Sequence, residues 1–143
     1  MVNQLGNYLS IDRMNIGLID NKAYTFQDVF VKGTNVPGRE IGHTRTLNKT
    51  VVEASLEKGG SIIIGNEKPS DLIKTFPNLK STLDTGIRSM LVVTLESSTD
   101  LIGAIVIASF KSSAYTEHDI ELVKKLSSKI IGRVIILKEG GQI

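Results

Sequence analysis

The chain has 143 residues, 41% hydrophobic and 22% charged, with 17 Lys and Arg against 15 Asp and Glu for a net charge of +2. That length suits one domain, since a single core organises about 100–150 residues, and the composition is that of an ordinary globular protein. There is no cysteine, which excludes disulfides, thiolate catalysis, thiolate metal sites and thioether-linked cofactors and fits a reducing, cytoplasmic compartment.

Met1 to Ser10 lacks the charged-then-apolar plan of a signal peptide. Only a few residues precede the first strand pattern, as in a piece excised from a larger protein. From Leu9 to Ile19 the residues alternate: Asp12, Met14, Ile16 and Leu18 fall on one side, Arg13, Asn15, Gly17 and Ile19 on the other. That period of two predicts a strand, weakened at Gly17. Asp20-Asn21-Lys22 supplies a turn, and Ala23 to Val31, rich in aromatic and β-branched residues, returns as the second strand of a hairpin.

Lys32 to Thr44 carries Gly33, Asn35, Pro37, Gly38 and Gly42 and reads as a loop. Thr46 offers a cap to a helix over Leu47, Val51 and Ala54, ended by Gly59-Gly60. Ser61 to Ile64 is a short apolar strand whose composition predicts burial on both faces. Gly65 to Gly86 is too apolar for a slack connection (Leu72, Ile73, Phe76, Leu79, Leu83) and reads as a lid. Within it, Ser70 would cap a short helix over Asp71 to Thr75, and Pro77 would open another reaching Leu83.

Ile87 to Leu95 and Leu101 to Phe110 are the strongest strands, joined by a short polar connection into a hairpin at the sheet centre. Thr116 and Asp119 form a capping-box-like start to a last helix running to about Leu137, with Ile120, Val123, Leu126, Ile130, Val134 and Leu137 as its apolar stripe. The order predicts an α+β fold, a central antiparallel sheet of five to six strands flanked by helices. No Gly-rich loop joins a strand to a following helix in the dinucleotide or P-loop pattern.

Several segments together resemble a GAF domain, and the fold is GAF/PAS-like. Asp12-Arg13 with Ile16-Gly17-Leu18-Ile19-Asp20 is similar to the family's first strand. Thr46 to Lys58 with Gly59 and Ile62-Ile63-Ile64 is similar to its central helix and short strand. Gly86 to Val93 and Leu101 to Ile107 resemble its main hairpin, and Ala114 to Leu122 the start of its last helix. The likeness spans about Leu9 to Leu137, within one domain over 1–143. Thr94 stands where many relatives carry proline, and only Val2 to Asn7 are left for the helix that normally precedes the first strand.

The resemblance implies a non-catalytic sensory domain that binds a small molecule between sheet and lid and relays a signal through its terminal helices. Its parent would be a bacterial signalling protein such as a two-component histidine kinase, a cyclic-di-nucleotide enzyme or a transcription activator, with a separate output domain. The alternative is a ligand-free module that dimerises and relays motion. Candidate ligand contacts are Asn15, Ile64, Phe76, Leu83, Arg88, Ser89, Met90 and Leu91. Alternation puts Ser89 and Leu91 on one face and Arg88, Met90 and Val92 on the other. Arg88 would suit a carboxylate or phosphate, although a structural ion pair is the commoner use of such an arginine.

Some specialised activities of the family fail on inspection. Bilin attachment and free-methionine-sulfoxide reduction need a cysteine. The cyclic-nucleotide pattern begins with Asn48-Lys49, but Phe76 is followed after three residues by Lys80-Ser81 instead of Asp-Glu. The two histidines, His43 and His118, sit among charged residues and do not suggest a haem or metal site, so no cofactor is expected. Lys124, Lys125 and Lys129 read as a solvated helix face and not as a nucleic-acid stripe. No apolar run approaches the ~20 residues of a membrane span. From Val134 to Leu137 four apolar residues wrap the last helix, which with Leu122 and Ile130 predicts a homodimer surface made by Leu122, Ile130, Val134, Ile136 and Leu137.

Overall fold

The computed structural model describes residues 9–97 and 100–140, of which 137–140 by backbone alone. Val2 to Asn7 and the side chain of Leu137 therefore lie outside the described residues. Six strands form one sheet: β1 Arg13–Asp20, β2 Thr25–Gly33, β3 Thr44–Thr46, β4 Ser61–Ile64, β5 Ser89–Glu96 and β6 Leu101–Ser109. The spatial order is β3-β2-β1-β6-β5-β4, every pair antiparallel. The helices are α1 Val51–Glu57, α2 Pro69–Thr75, α3 Lys80–Leu83, α4 Glu117–Ser127 and α5 Ile131–Gly140, with a 3-10 turn at Pro77–Leu79. The expected α+β antiparallel sheet is what forms.

Alternation along the central strands sorts the core into two layers. Met14, Ile16, Leu18, Leu91, Ile105 and Ile107 pack under α4 and α5. Ile19, Met90, Val92, Ala104, Val106 and Ala108 face the other way, toward α1 and the lid from Gly65 to Gly86. Gly17 sits on that lid side because the Phe26 ring needs its space: a Cβ there would come within 2.2 Å of the ring. Close approach, not a weakened strand, explains this glycine.

Four details differ from the sequence reading. Thr46 belongs to β3, paired with Thr25, so the cap of α1 falls to Thr50, which accepts from the Glu53 N–H at 3.2 Å. Three residues are too few to show a strand period, which is why β3 reads as loop. Lys68, not Ser70, precedes α2, whose first position is Pro69. β4 is an edge strand pairing only with β5; Ser61, Ile62 and Ile63 are half-buried and Ile64 alone is fully buried.

The last helix is two helices. Ser127 and Ser128 donate their hydroxyls to the carbonyls of Lys124 and Lys125 at 2.8 and 2.7 Å, which competes with the helical ladder just where α4 stops. The start of α4 is as expected, with the Asp119 carboxylate accepting from the Thr116 N–H at 2.8 Å.

Candidate ligand chamber

Between the lid side of β1, β5 and β6 and the segments covering it lies a chamber with a free volume of about 50 Å³. That is room for a few waters or a small ligand group. Its floor is apolar, made by Met90, Val92, Val106 and Ala108, with Phe26, Val51, Val52, Phe76 and Leu79 around it. One end is polar, lined by Arg13, Asn15, Arg39 and Arg45.

The polar end is assembled by an irregularity in the first hairpin. Ile16 pairs with Phe30 and Gly17 with Asp28, leaving Val29 without a partner. Such a bulge re-aims the side chains beside it. Asp28 is thereby set on the chamber face, completely buried. It accepts from Asn15 Nδ2 at 2.9 Å and forms an ion pair with Arg45 from β3. The Arg45 guanidinium also lies 5.3 Å above the Phe26 ring, itself seated over Gly17.

Arg13 is only 3% exposed. It donates from Nη1 to the Thr34 carbonyl and from Nη2 to the Arg39 carbonyl, both at 2.7 Å, and so ties down the loop between β2 and β3. Arg39, on that loop, donates from Nη2 to the Asn78 carbonyl in the lid at 2.5 Å. Its Nε is buried without a partner. Burial, then repulsion from Arg45, pushes the Arg39 guanidinium down to about 10, while Asp28 acts in the opposite sense. Arg13 is likewise lowered, first by burial.

Of the residues anticipated from sequence, Asn15, Phe76 and Met90 line this chamber. Ile64 and Leu83 belong to the same apolar layer without reaching the opening. Arg88 is occupied elsewhere: it donates to the carbonyls of Leu83 and Ile87 at 2.9 and 2.7 Å and pins the end of the lid. Ser89 and Leu91 point away from the chamber, as their shared alternation requires. Leu91 is in the helix-side layer, and Ser89 holds the link to α4 through the Lys111 carbonyl and the Ala114 N–H.

Of the anticipated interface residues, Val134 is buried within this chain. Leu122 and Ile130 are partly covered, and Ile136 is 69% exposed. His43 and His118 are both exposed. Among the described residues no cluster of acids and histidines could hold a metal ion, and no helix is long and apolar enough to cross a membrane.

Sequence reasoning missed Arg13, Arg39, Arg45 and Asp28. A signal for Arg13 was present: it shares a strand face with Asn15 and Ile19 in an otherwise apolar stretch. Arg39 and Arg45 read as loop charges, and nothing local shows that they converge.

A sequence model of the GAF domain matches residues 1–133. The fold is shared with the GAF domain of a two-component sensor histidine kinase from Bacillus halodurans (TM-score 0.78, 16% identity, 98% of this chain and 92% of that one). A second similar structure is the GAF domain of an Acinetobacter phosphoenolpyruvate-protein phosphotransferase (TM-score 0.74, 19% identity, 100% and 82%). A third is a type II free methionine-R-sulfoxide reductase from Thermoplasma acidophilum (TM-score 0.70, 16% identity, 92% and 84%). No curated protein matches the sequence.

Proposed function

This chain belongs to the GAF domain family, and we propose that it is a non-catalytic sensory domain of a cytoplasmic signalling protein, binding a small molecule in the chamber beneath its lid. Domains of this family are typically sensory or regulatory. One observation carries the reading: a chamber with an apolar floor partly covered by the lid, with Asn15, Arg13, Arg39 and Arg45 converging at one end. Directed polar groups beside an apolar floor are what a small-molecule site requires. The path for a signal is physical. Arg39 joins the β2–β3 loop to the lid through Asn78, and Arg88 joins the lid to β5. A ligand that moved the lid would move groups anchored to the sheet over α4 and α5.

Some structures of this fold are reductases, but this chain has no cysteine with which to perform thiol redox chemistry. The test is a native mass spectrum of freshly purified protein. An adduct lost on denaturation supports a bound small molecule and gives its mass. A clean dimer without adduct favours the second reading, a module that only dimerises and relays motion through its helices. The exposed Ile136, with half-covered Ile131 and Ile135 beside it, is the observation on that side. Sedimentation at rising concentration tests it; a strict monomer argues against the homodimer.

A further inference from the structure

The charges around the chamber do not balance. Asp28 is committed to Arg45 and Asn15. Glu40 accepts from the Gly38 N–H and faces His43 at 3.8 Å, and its Oε2 is buried without a hydrogen-bond partner. Its charge also acts on Arg13, so Asp28 and Glu40 together offset two of the three guanidiniums. Glu53 of α1 is engaged with Tyr24 and the Lys49 N–H. Arg13 and Arg39 have only backbone carbonyls as hydrogen-bond partners, and no carboxylate among the described residues forms an ion pair with either.

A guanidinium carries five N–H donors, yet Arg13 spends two and Arg39 one on the protein, with the Arg39 Nε buried and unmatched. Carbonyl dipoles satisfy donors without neutralising charge, so a positive excess remains at this partly solvent-open end of the chamber. Arg13 could be tied to the loop by a neutral donor, and the Arg39 side chain reaches only one lid carbonyl. An acceptor-rich ligand of opposite charge removes the deficit.

We infer that the chamber takes a small organic carboxylate, its carboxylate held by Arg13 and Arg39 and its short hydrocarbon body lying on Met90, Val92, Val106 and Ala108. The planar fork of a guanidinium matches a carboxylate edge. The apolar floor suits a hydrocarbon body, and the charged side chains of the lining, Arg13, Arg39 and Arg45, suit the carboxylate. Asp28 takes part indirectly: by holding Arg45 it keeps that cation from closing over the site. This assignment rests on the chamber being the ligand site, and it names the chemistry the chamber selects.

The experiment is a chemical-shift titration of the 15N- and methyl-labelled chain with butyrate, 1-butanol, butylamine and inorganic phosphate, on wild type and on Arg39→Gln and Arg39→Lys. Butyrate is expected to shift Val92, Val106 and Met90 and the Arg39 and Arg13 side-chain signals. Butanol and butylamine should bind about tenfold or more weakly, the loss of a charge-assisted hydrogen bond. Arg39→Gln should weaken butyrate by about ten- to a hundredfold, and Arg39→Lys, which keeps the charge without the fork, by less. Equal shifts from butyrate and butanol would overturn the carboxylate assignment while leaving the chamber as a binding site. Phosphate binding more tightly than butyrate would overturn it in favour of a bare anion hole. If Arg39→Gln keeps its fold and binds butyrate as wild type does, Arg39 is not a carboxylate ligand and the assignment falls. No shift at chamber residues with any probe sinks both the assignment and the chamber reading.

Discussion

On the helix side of the sheet, Met14, Ile16, Leu18, Leu91, Val93, Ile105 and Ile107 meet α4 and α5 as a closed apolar layer; on the lid side the same strands, one residue out of step, present Arg13 and Asn15 beside Met90 and Val92. Both fully buried charged residues among those described, Arg13 and Asp28, are on the lid side. Apolar burial stabilises by about 25 cal/mol per Å², whereas buried charges roughly break even at best against apolar substitutes. A fold selected for stability alone would fill both faces alike. The difference teaches that both faces carry an apolar layer that holds the domain together, and that the lid side alone gives up stability to keep charged groups within it.

The sharpest attempt to break this contrast is Asp28→Ala. It leaves the half-buried Arg45 without its carboxylate and Asn15 without its acceptor, and should cost about 2–4 kcal/mol in urea unfolding, part of it returned by added butyrate. A loss under about 1 kcal/mol would mean the guanidiniums share no low-dielectric site. Leu91→Ala, on the opposite face, should cost about 3 kcal/mol by leaving a cavity, with no change in butyrate response. Gly17→Ala is next: its new Cβ collides with the Phe26 ring at 2.2 Å. It should lose about 1–3 kcal/mol and displace Arg45, visible as shifts of the Arg45 side-chain signals. The smallest effect is expected for Arg39→Leu without ligand, within about 1 kcal/mol of wild type and on the stabilising side. A large loss in thermal melting there would show that Arg39 is a stability residue and erase the distinction between the faces.

Much of the fold was legible because it is written in local periods. The alternation from Arg13 to Ile19 assigns these residues of β1 to their observed faces, and Thr116 with Asp119 marks the start of α4. Errors fell where the local signal was short or contested. β3 has three residues, Thr50 competes with Thr46 as a cap, and Ser127 and Ser128 divide one apolar stripe between two helices. For the chamber, alternation and lid composition were enough to find Asn15, Phe76 and Met90. They misplaced Arg88, whose position before β5 looks like a ligand clamp but whose donors go to the lid backbone.

The sequence by itself determined the α+β class, the two apolar hairpins, the lid and the absence of thiol chemistry, all properties of residue type and short-range spacing. The tertiary structure decided that Arg13, Arg39, Arg45 and Asp28 share one place. Their convergence depends on the bulge at Val29, on Arg13 binding the carbonyls of Thr34 and Arg39, and on β3 returning along β2. Electrostatic energy depends on distance and on the surrounding dielectric, and neither is fixed until strands distant in sequence have paired.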